Sequence, residues 1–339
     1  MQRIGNLWDS IIDMNNIIDA YNKAKKGKMW QKKISRIDQN REYYLEKLQQ
    51  SLIDRTFHTS KYKIKKIYEP KARDIYILPF YPDRIVQHAV MTYVSPIWDR
   101  KMIHNSCSCR VGRGQHFGSK RCMQYVKRNE YCLQCDVSKF YPSINHDVLM
   151  SLIERTIKDK NVLWLLEDII RSIDGDTNVP IGNYTSQWFG NLYLTPLDYK
   201  IKQEYRIKDY IRYCDDFILF DNDKSKLREI GNELQQYLLN DFKLKLSKKE
   251  IFHTYQGLDF LGYRHFPNGK KLVRKSTAKR IKKNLSQVPY LLKNKFINPN
   301  QAMGKFASAK GWLSHANTYN FRSKIDFDNR YNETLGLIS

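Results

Sequence analysis

Long apolar runs, acidic residues and paired cysteine motifs are all scarce in this sequence of 339 residues. No apolar run approaches the length of a membrane span, and the N-terminus lacks the apolar core of a signal peptide, so we expect a cytoplasmic protein that does not contact membranes. Cys132 and Cys135 have the spacing of metal ligands, but no second pair follows at zinc-finger distance. In a reducing compartment we expect the six cysteines to be free thiols.

The shortage of acidic residues makes the chain strongly basic. There are 59 Lys and Arg against 35 Asp and Glu, for a net charge of +24. Half of this excess lies from Lys270 onward, where fifteen basic residues face three acidic ones. A generally basic soluble surface is one explanation, but this local concentration favours binding to a nucleic-acid backbone.

An apolar stretch in the middle of the chain is interrupted by two adjacent carboxylates, Asp215 and Asp216. Its Ile, Tyr and Phe residues predict a strand, a turn and a second strand, with the two acids at the turn. Neighbouring like charges repel, so a buried pair needs a cation, and hard divalent cations prefer oxygen ligands. The alternative is a surface turn with two solvated aspartates, which would leave the apolar flanks unexplained.

A third candidate acid, Asp136, stands near the end of another apolar segment, residues 131–137. An acid in this position is favoured only where positive charge meets it. Carboxylates from two adjacent strands can bridge a pair of metal ions, an arrangement that supports phosphoryl transfer. The sequence therefore predicts that Asp136 lies beside the turn that carries Asp215 and Asp216.

Three other segments carry residues suited to binding a nucleotide. Residues 61–79 predict a hairpin whose tip carries Lys71 and Arg73, which could contact phosphates or lie at the surface as ordinary cations. Tyr141 could pack against a nucleotide sugar and exclude a 2′-hydroxyl, or it could belong to the core. Gln187 falls in the first turn of a predicted helix, where backbone N–H groups favour a phosphate.

Taken together, these segments resemble the successive motifs of a reverse transcriptase. In chain order the matching motifs are Pro70-Lys71-x-Arg73, Asp83-Arg84-x-x-Gln87-His88, Asp136 with Phe140-Tyr141, Ile181-Gly182-x-x-x-Ser186-Gln187, Tyr213-Cys214-Asp215-Asp216, Phe260-Leu261-Gly262-Tyr263 and Gly311-Trp312-Leu313-Ser314-His315-Ala316-Asn317. They cover nearly the whole chain in the order found in bacterial members. The resemblance implies an RNA-directed DNA polymerase with an α+β, right-hand fold of fingers, a palm with an antiparallel sheet, and a helical thumb.

The motif at residues 181–187 is most similar to that of reverse transcriptases from diversity-generating retroelements. This implies cDNA synthesis that is error-prone at template adenines, mutagenic retrohoming into a target gene, and a small basic oligomeric accessory protein as a partner. A retron-like or phage-defence reverse transcriptase without mutagenic retrohoming is the nearest alternative, and a non-catalytic RNA-binding scaffold is another. The chain departs from the family at Cys214, where Met or Ala is commoner, and at Tyr141, where Phe is common.

The resemblance also implies roles for individual residues. Asp136, Asp215 and Asp216, with the backbone carbonyl of Val137, would bind two Mg²⁺ ions, for which Mn²⁺ could substitute. The implied ligands are the dNTP, the template RNA and the RNA–DNA duplex. Lys71 and Arg73 would contact the triphosphate, and Gln187 would contact the incoming nucleotide. Tyr141 would be the steric gate, and Ile181 would contact the templating base. Lys249 would protonate the pyrophosphate, with Lys248 as the alternative.

We expect three regions along the chain. Residues 1–30 would form an N-terminal helical extension, residues 31–267 the fingers and palm, and residues 268–339 the basic helical thumb. No RNase H, endonuclease or maturase segment is expected.

Overall fold

The computed structural model describes residues 3–68 and 72–338, so Lys71 lies outside the described residues. The strands are β1 (Lys63–Ile67), β2 (Arg73–Ile77), β3 (Ser106–Cys107), β4 (Tyr131–Val137), β5 (Asp209–Tyr213), β6 (Asp216–Asp221), β7 (Leu246–His253), β8 (Leu258–Phe260), β9 (Tyr263–His265) and β10 (Lys271–Val273). In these two ranges no helix is both long enough and apolar enough to cross a membrane.

Helices surround these strands. They are α1 (Trp8–Ile12), α2 (Met14–Lys25), α3 (Lys32–Gln39), α4 (Arg41–Ile53), α5 (Ile85–Lys101), α6 (Gln115–Arg128), α7 (Phe140–Ser143), α8 (His146–Glu154), α9 (Lys160–Ile170), α10 (Ser186–Tyr193), α11 (Thr195–Tyr199), α12 (Lys224–Phe242), α13 (Lys275–Ser286), α14 (Val288–Lys293), α15 (Pro299–Leu313), α16 (Tyr319–Lys324) and α17 (Phe327–Gly336). Helices packed on largely antiparallel sheets confirm the predicted α+β class.

A five-stranded sheet in the order β3-β5-β6-β4-β7 forms the palm. Every pairing is antiparallel except the short parallel contact between β3 and β5. Because side chains alternate along a strand, the two faces of the sheet enter different cores. Cys135 packs in the main core, whereas Cys132 packs in a second core with α6 and β8. The two cysteines therefore lie on opposite faces, as their spacing in a strand predicts.

The predicted hairpin in residues 61–79 is confirmed by the antiparallel pair β1 and β2. On the predicted boundaries the hairpin belongs to the fingers and palm, whereas α1 and α2 belong to the N-terminal extension. Helices α1, α2, α4 and α5 contribute to the main core, where Ile11, Leu45 and Trp98 are buried. The short hairpin itself is mostly exposed, so its position depends on contacts with the palm rather than on a core of its own.

The C-terminal helices α13 to α17 form a thumb with a separate apolar core that contains Ile281, Phe306 and Leu313. The thumb contacts the palm through the small sheet β8-β9-β10. There Tyr263 donates a hydrogen bond to the carbonyl of Trp312 at 3.2 Å, and their rings lie 5.4 Å apart. Fingers, palm and thumb are thus all present. The boundaries at residues 30 and 267 stay a prediction.

Candidate active site

The turn between β5 and β6 carries two of the predicted acids. Cys214 and Asp215 form the loop, and Asp216 begins β6 opposite Tyr213. Cys214 has a φ of 54°, in the left-handed region that residues other than glycine seldom adopt. Such a conformation persists only where surrounding contacts determine it.

A buried ion pair beneath the turn supplies those contacts. Arg212 donates hydrogen bonds to both carboxylate oxygens of Asp198, at 2.8 and 2.6 Å, and both side chains are 0% exposed. The same guanidinium donates to the carbonyl of Cys214 at 3.0 Å and to Ser106 Oγ at 2.9 Å. Arg212 therefore connects β3, β5 and α11 to the backbone of the turn.

Strand β4 brings the third predicted acid to the same place. Asp136 pairs directly with Asp216 across β4 and β6, and directly paired side chains project from one face of a sheet. Ser247 lies where the register between β4 and β7 shifts, and its Oγ donates a hydrogen bond of 2.7 Å to Asp136 Oδ2. The structure therefore brings Asp136 and Asp216 side by side.

The ionisation of Asp216 reflects this crowding. Burial raises the pKa of its carboxyl from 3.8 to about 7, although a hydrogen bond from Gln134 opposes the shift. The charges of Asp136 and Asp215 raise the pKa further, while Lys248 lowers it. A buried carboxyl whose ionisation is disfavoured by two neighbouring carboxylates is suited to a cation that takes hard oxygen ligands.

The carboxylates do not yet form a closed metal cage. Across residues 3–68 and 72–338, no three His, Cys, Asp or Glu side chains form a cluster that could hold a metal ion as they stand. The side chains of Asp136 and Asp216 nevertheless project from the same face of the sheet. Their carboxylate oxygens are the type of ligand that a divalent cation prefers.

The raised pKa of Asp216 predicts a pH-dependent effect of Mg²⁺ on stability. Since the folded pKa is about 7 and the ordinary value 3.8, this group lowers the stability of the metal-free protein as pH rises between those values. Bound Mg²⁺ should offset this loss of stability. We therefore expect Mg²⁺ to stabilise the protein more at about pH 8 than at about pH 6, because at pH 6 the Asp216 carboxyl must first lose its proton. Thermal unfolding with Mg²⁺ or EDTA measures this, and Asp216→Asn should remove most of the pH dependence. An equal Mg²⁺ effect at both pH values would contradict it.

A cleft of about 740 Å³ opens in front of these acids, between the fingers hairpin and the palm. The predicted site residues that line it are Arg73, Asp136, Val137, Tyr141, Ile181 and Asp215. Lys66 and Lys139 add positive charge to the wall. The cleft thus places cations opposite carboxylates, which suits a substrate that carries phosphates and is bound through a metal ion.

The fingers side of the cleft is positioned by one close backbone contact. The amide of Tyr76 in β2 donates a hydrogen bond to the carbonyl of Ile181 at 2.8 Å. A Cβ atom on Gly182 would lie 2.2 Å from the carbonyl oxygen of Tyr76, and Gly182 has a φ of 131°. Only glycine fits there, so Gly182 allows the hairpin that carries Arg73 to dock beside Ile181.

Tyr141 stands on the palm side of the cleft, half-buried in α7. Burial raises the pKa of its hydroxyl above the usual range, with further contributions from Cys214, Cys109 and Asp215. A Cβ atom on Gly190 would approach the rings of Phe140 and Tyr141 to 2.9 and 3.1 Å. Gly190 in α10 therefore provides the space in which the Tyr141 ring lies.

Three of the other predicted residues do not join this lining, namely Asp216, Gln187 and Lys249. Gln187 is exposed in the first turn of α10, where its Oε1 accepts a hydrogen bond from Cys109 Sγ at 2.9 Å. Lys249 pairs with Cys135, on the face of the sheet that packs against α12, and donates a hydrogen bond to Asn232 Oδ1 at 2.8 Å.

The position of Lys249 does not favour its predicted role in protonating pyrophosphate, because it projects from the face of the sheet opposite to the acids. Lys248, the alternative, pairs directly with Asp136 and so projects from the same face. Its Nζ donates a hydrogen bond to Gln134 Oε1 at 3.0 Å and lies 3.2 Å from Glu250. Lys248 is therefore the better placed lysine.

Sequence reasoning missed the residues that support the acids. Arg212 contacts the turn, and Asp198 forms the ion pair with Arg212. Gln134 and Ser247 donate hydrogen bonds to the carboxylates. One signal was available for Arg212, which is a charged residue inside an otherwise apolar strand. The partner of that charge could not be found without the fold, because Asp198 lies in a different element.

Comparison with known families gives a match over most of the palm and fingers. The family described as reverse transcriptase (RNA-dependent DNA polymerase) matches residues 64–265. Protein YkfC of Escherichia coli (strain K12) is 25% identical over 283 residues, which cover 68% of this chain and 72% of YkfC. Group II intron-encoded protein LtrA of Lactococcus lactis subsp. cremoris is 22% identical over 294 residues, 65% of this chain and 49% of LtrA.

Among solved structures, the chain is similar to telomerase from Candida albicans in complex with a fragment of telomeric RNA. The TM-score is 0.47 at 14% identity, and the match covers 87% of this chain and 65% of that chain. The chain spans about half the length of LtrA, so activities of the longer protein do not transfer from the match alone.

Proposed function

This chain belongs to the reverse transcriptase family of RNA-directed DNA polymerases, and from that membership we propose that it synthesises cDNA by two-metal nucleotidyl transfer in the cleft in front of Asp136. The observation that carries the proposal is the direct pairing of Asp136 with Asp216, with Asp215 lining the same cleft as Arg73. A primer-extension assay on an RNA template with and without Mg²⁺ tests it. Absence of Mg²⁺-dependent synthesis would overturn it.

In the proposed reaction the primer 3′-hydroxyl attacks the α-phosphate of a dNTP in line. A new ester bond forms, and the bond from the α-phosphate to the pyrophosphate oxygen breaks. Arg73 would contact the triphosphate, as would Lys71, and Lys248 would donate a proton to the departing pyrophosphate. Positioning and charge neutralisation supply most of the rate.

The proposed metal ligands are the carboxylates of Asp136, Asp215 and Asp216 and the backbone carbonyl of Val137. When bound, Mg²⁺ or Mn²⁺ would lower the pKa of the attacking hydroxyl and neutralise charge on the leaving group. The raised pKa of Asp216 supports this ligand set, since it marks a site that favours a cation.

We propose Tyr141 as the group that excludes a ribonucleotide 2′-hydroxyl, because its ring lines the cleft and is confined by Gly190. Tyr141→Ala should therefore raise incorporation of ribonucleotides relative to deoxyribonucleotides by about 10- to 200-fold, the range for a small steric difference in a pocket. Tyr141→Phe is the matched control and should keep the discrimination, since the ring remains. Competition assays with paired dNTP and rNTP measure the ratio. An unchanged ratio in the alanine variant would exclude Tyr141 as the gate.

More specifically, we propose that the protein is the reverse transcriptase of a diversity-generating retroelement. It would be error-prone at template adenines and would act in mutagenic retrohoming. The Ile-Gly-x-x-x-Ser-Gln motif of residues 181–187 supports this, and Ile181, which would contact the templating base, lines the cleft. Sequencing cDNA copied from a mixed-base RNA tests it, with errors expected to concentrate opposite adenine. Uniform fidelity across the four bases would reject the proposal and leave the polymerase activity intact.

A second candidate is a reverse transcriptase of the group II intron type, favoured by the matches to YkfC and LtrA. The fidelity measurement separates the two, because accurate copying at adenine favours the intron type. The retron-like or phage-defence alternative predicts even fidelity too.

We propose template RNA, the RNA–DNA duplex and dNTPs as ligands, and a small basic oligomeric accessory protein as a further partner. The basic thumb supports the nucleic-acid ligands, since fifteen of its residues from Lys270 onward carry positive charge. A cytoplasmic location is part of the same proposal.

A further inference from the structure

Two cysteines lie together at the edge of the proposed nucleotide site. Cys214 precedes Asp215 in the turn, and Cys109 follows β3 with a φ of 58°. Ser108 Oγ lies 2.9 Å from Cys214 Sγ and 3.1 Å from Cys109 Sγ. Both thiols therefore lie within hydrogen-bond distance of the same hydroxyl. Sequence spacing alone did not suggest this pair, because the residues are far apart in the chain.

The environment of this pair differs from that of the other cysteines. Cys107, Cys122, Cys132 and Cys135 are buried, and burial raises the pKa of each thiol. Cys109 and Cys214 are half-exposed. The hydrogen bond from Cys214 lowers the pKa of the Cys109 thiol to about 7. An accessible thiol with thiolate character beside a second thiol is the arrangement of redox-sensitive cysteines.

We propose that Cys109 and Cys214 form a reversible disulfide when hydrogen peroxide oxidises Cys109, and that this bond switches off nucleotide incorporation. The loss of incorporation rests on the proposed function, whereas formation of the bond does not. The Cys109 sulfur attacks the peroxide O–O bond and becomes a sulfenic acid, and one water leaves. The Cys214 thiol then displaces hydroxide from that sulfur, and a second water leaves. Two thiols are oxidised by two electrons, and one peroxide is reduced to two waters.

The bond would alter groups on both sides of the nucleotide site. Cys109 donates a hydrogen bond to Gln187 Oε1, and oxidation removes that donor. Cys214 adjoins Asp215, and its carbonyl accepts the hydrogen bond from Arg212. Burial, followed by the charge of Cys214, raises the pKa of the Tyr141 hydroxyl, so Cys214 and Tyr141 are neighbours at the site. A link between Cys109 and Cys214 would therefore shift the turn that carries the acids, and displacements of about 1 Å at such sites cost about 100-fold in rate.

Peptide mapping of the intact protein tests formation of the bond. The protein is treated with hydrogen peroxide, alkylated under denaturing conditions, digested and analysed by mass spectrometry. We expect a cross-linked peptide joining Cys109 to Cys214, while the four buried cysteines are alkylated as free thiols. Cys109→Ser and Cys214→Ser should each lose the cross-link. Free alkylation of both residues in oxidised protein, or their pairing with other cysteines, would overturn the proposal.

Primer extension on the same samples tests the consequence. Oxidised wild-type protein should lose activity by about 100-fold and regain it with dithiothreitol. Each serine variant should lose much less activity on oxidation than wild type does, relative to its own reduced form. A mapped cross-link with full activity would overturn the switch. Inactivity of the reduced wild-type protein would instead count against the proposed function, and the mapping result would still decide whether the bond forms.

Discussion

Asp215→Asn should lower primer extension by at least about a thousand-fold, the loss expected when several kcal/mol of charge stabilisation disappear. Asp215 lines the cleft with Asp136, and its charge helps to raise the pKa of Asp216. Asparagine keeps the size of the side chain but removes the negative charge that a divalent cation requires. RNA affinity should be unchanged, because we expect the basic residues of the thumb to supply most of the phosphate contacts. Single-nucleotide incorporation and filter binding at one fixed salt concentration measure the two properties.

A matched control for this substitution lies at the far end of the strand that follows Asp215. Asp221 ends β6 and forms an ion pair of 2.6 Å with Lys226, away from the cleft. Asp221→Asn removes the same charge and should leave incorporation nearly unchanged, since such partly exposed pairs contribute only about 0–1 kcal/mol. If Asp215→Asn retained the activity of the Asp221→Asn control, the assignment of the three acids would be wrong.

Asp198→Ala should lower the free energy of unfolding by about 3–5 kcal/mol, the cost of leaving a buried charge without its partner. Arg212 is fully buried and remains charged, since a guanidinium does not give up its proton in proteins. The variant also removes the acceptor of the Tyr210 hydroxyl, which donates to Asp198 Oδ1 at 2.7 Å. Urea denaturation followed by circular dichroism measures the change. The exposed pair of Arg322 with Asp328 is the control, and Asp328→Ala should cost less than about 1 kcal/mol.

A double variant separates the two roles of this ion pair. Asp198→Leu with Arg212→Met replaces both charges by apolar groups, which is often neutral for stability. We expect it to recover much of the stability that Asp198→Ala loses. Its polymerase activity should stay low, because the carbonyl of Cys214 no longer receives the hydrogen bond of Arg212. Equal recovery of stability and activity would show that the pair acts only on folding.

Several local features were predictable from the sequence because short-range physics determines them. The strand, turn and strand around Asp215 follow from apolar residues on both sides of two acids, and the hairpin β1-β2 follows from short β-rich runs around a break. The opposite orientation of Cys132 and Cys135 follows from the alternation of side chains along a strand. Periodicity carries this information within one element.

The sequence by itself therefore determined the family, the α+β class and the three acids as candidate ligands. Only the tertiary structure decided which groups meet across elements, such as Arg212 with Asp198 and Cys109 with Cys214. It also showed which of two adjacent lysines, Lys248 and Lys249, lies on the same face as the acids, and the reason is the irregular strand pairing at Ser247. A shift of one residue in strand pairing moves a side chain to the opposite face, so local sequence cannot tell which lysine faces the acids.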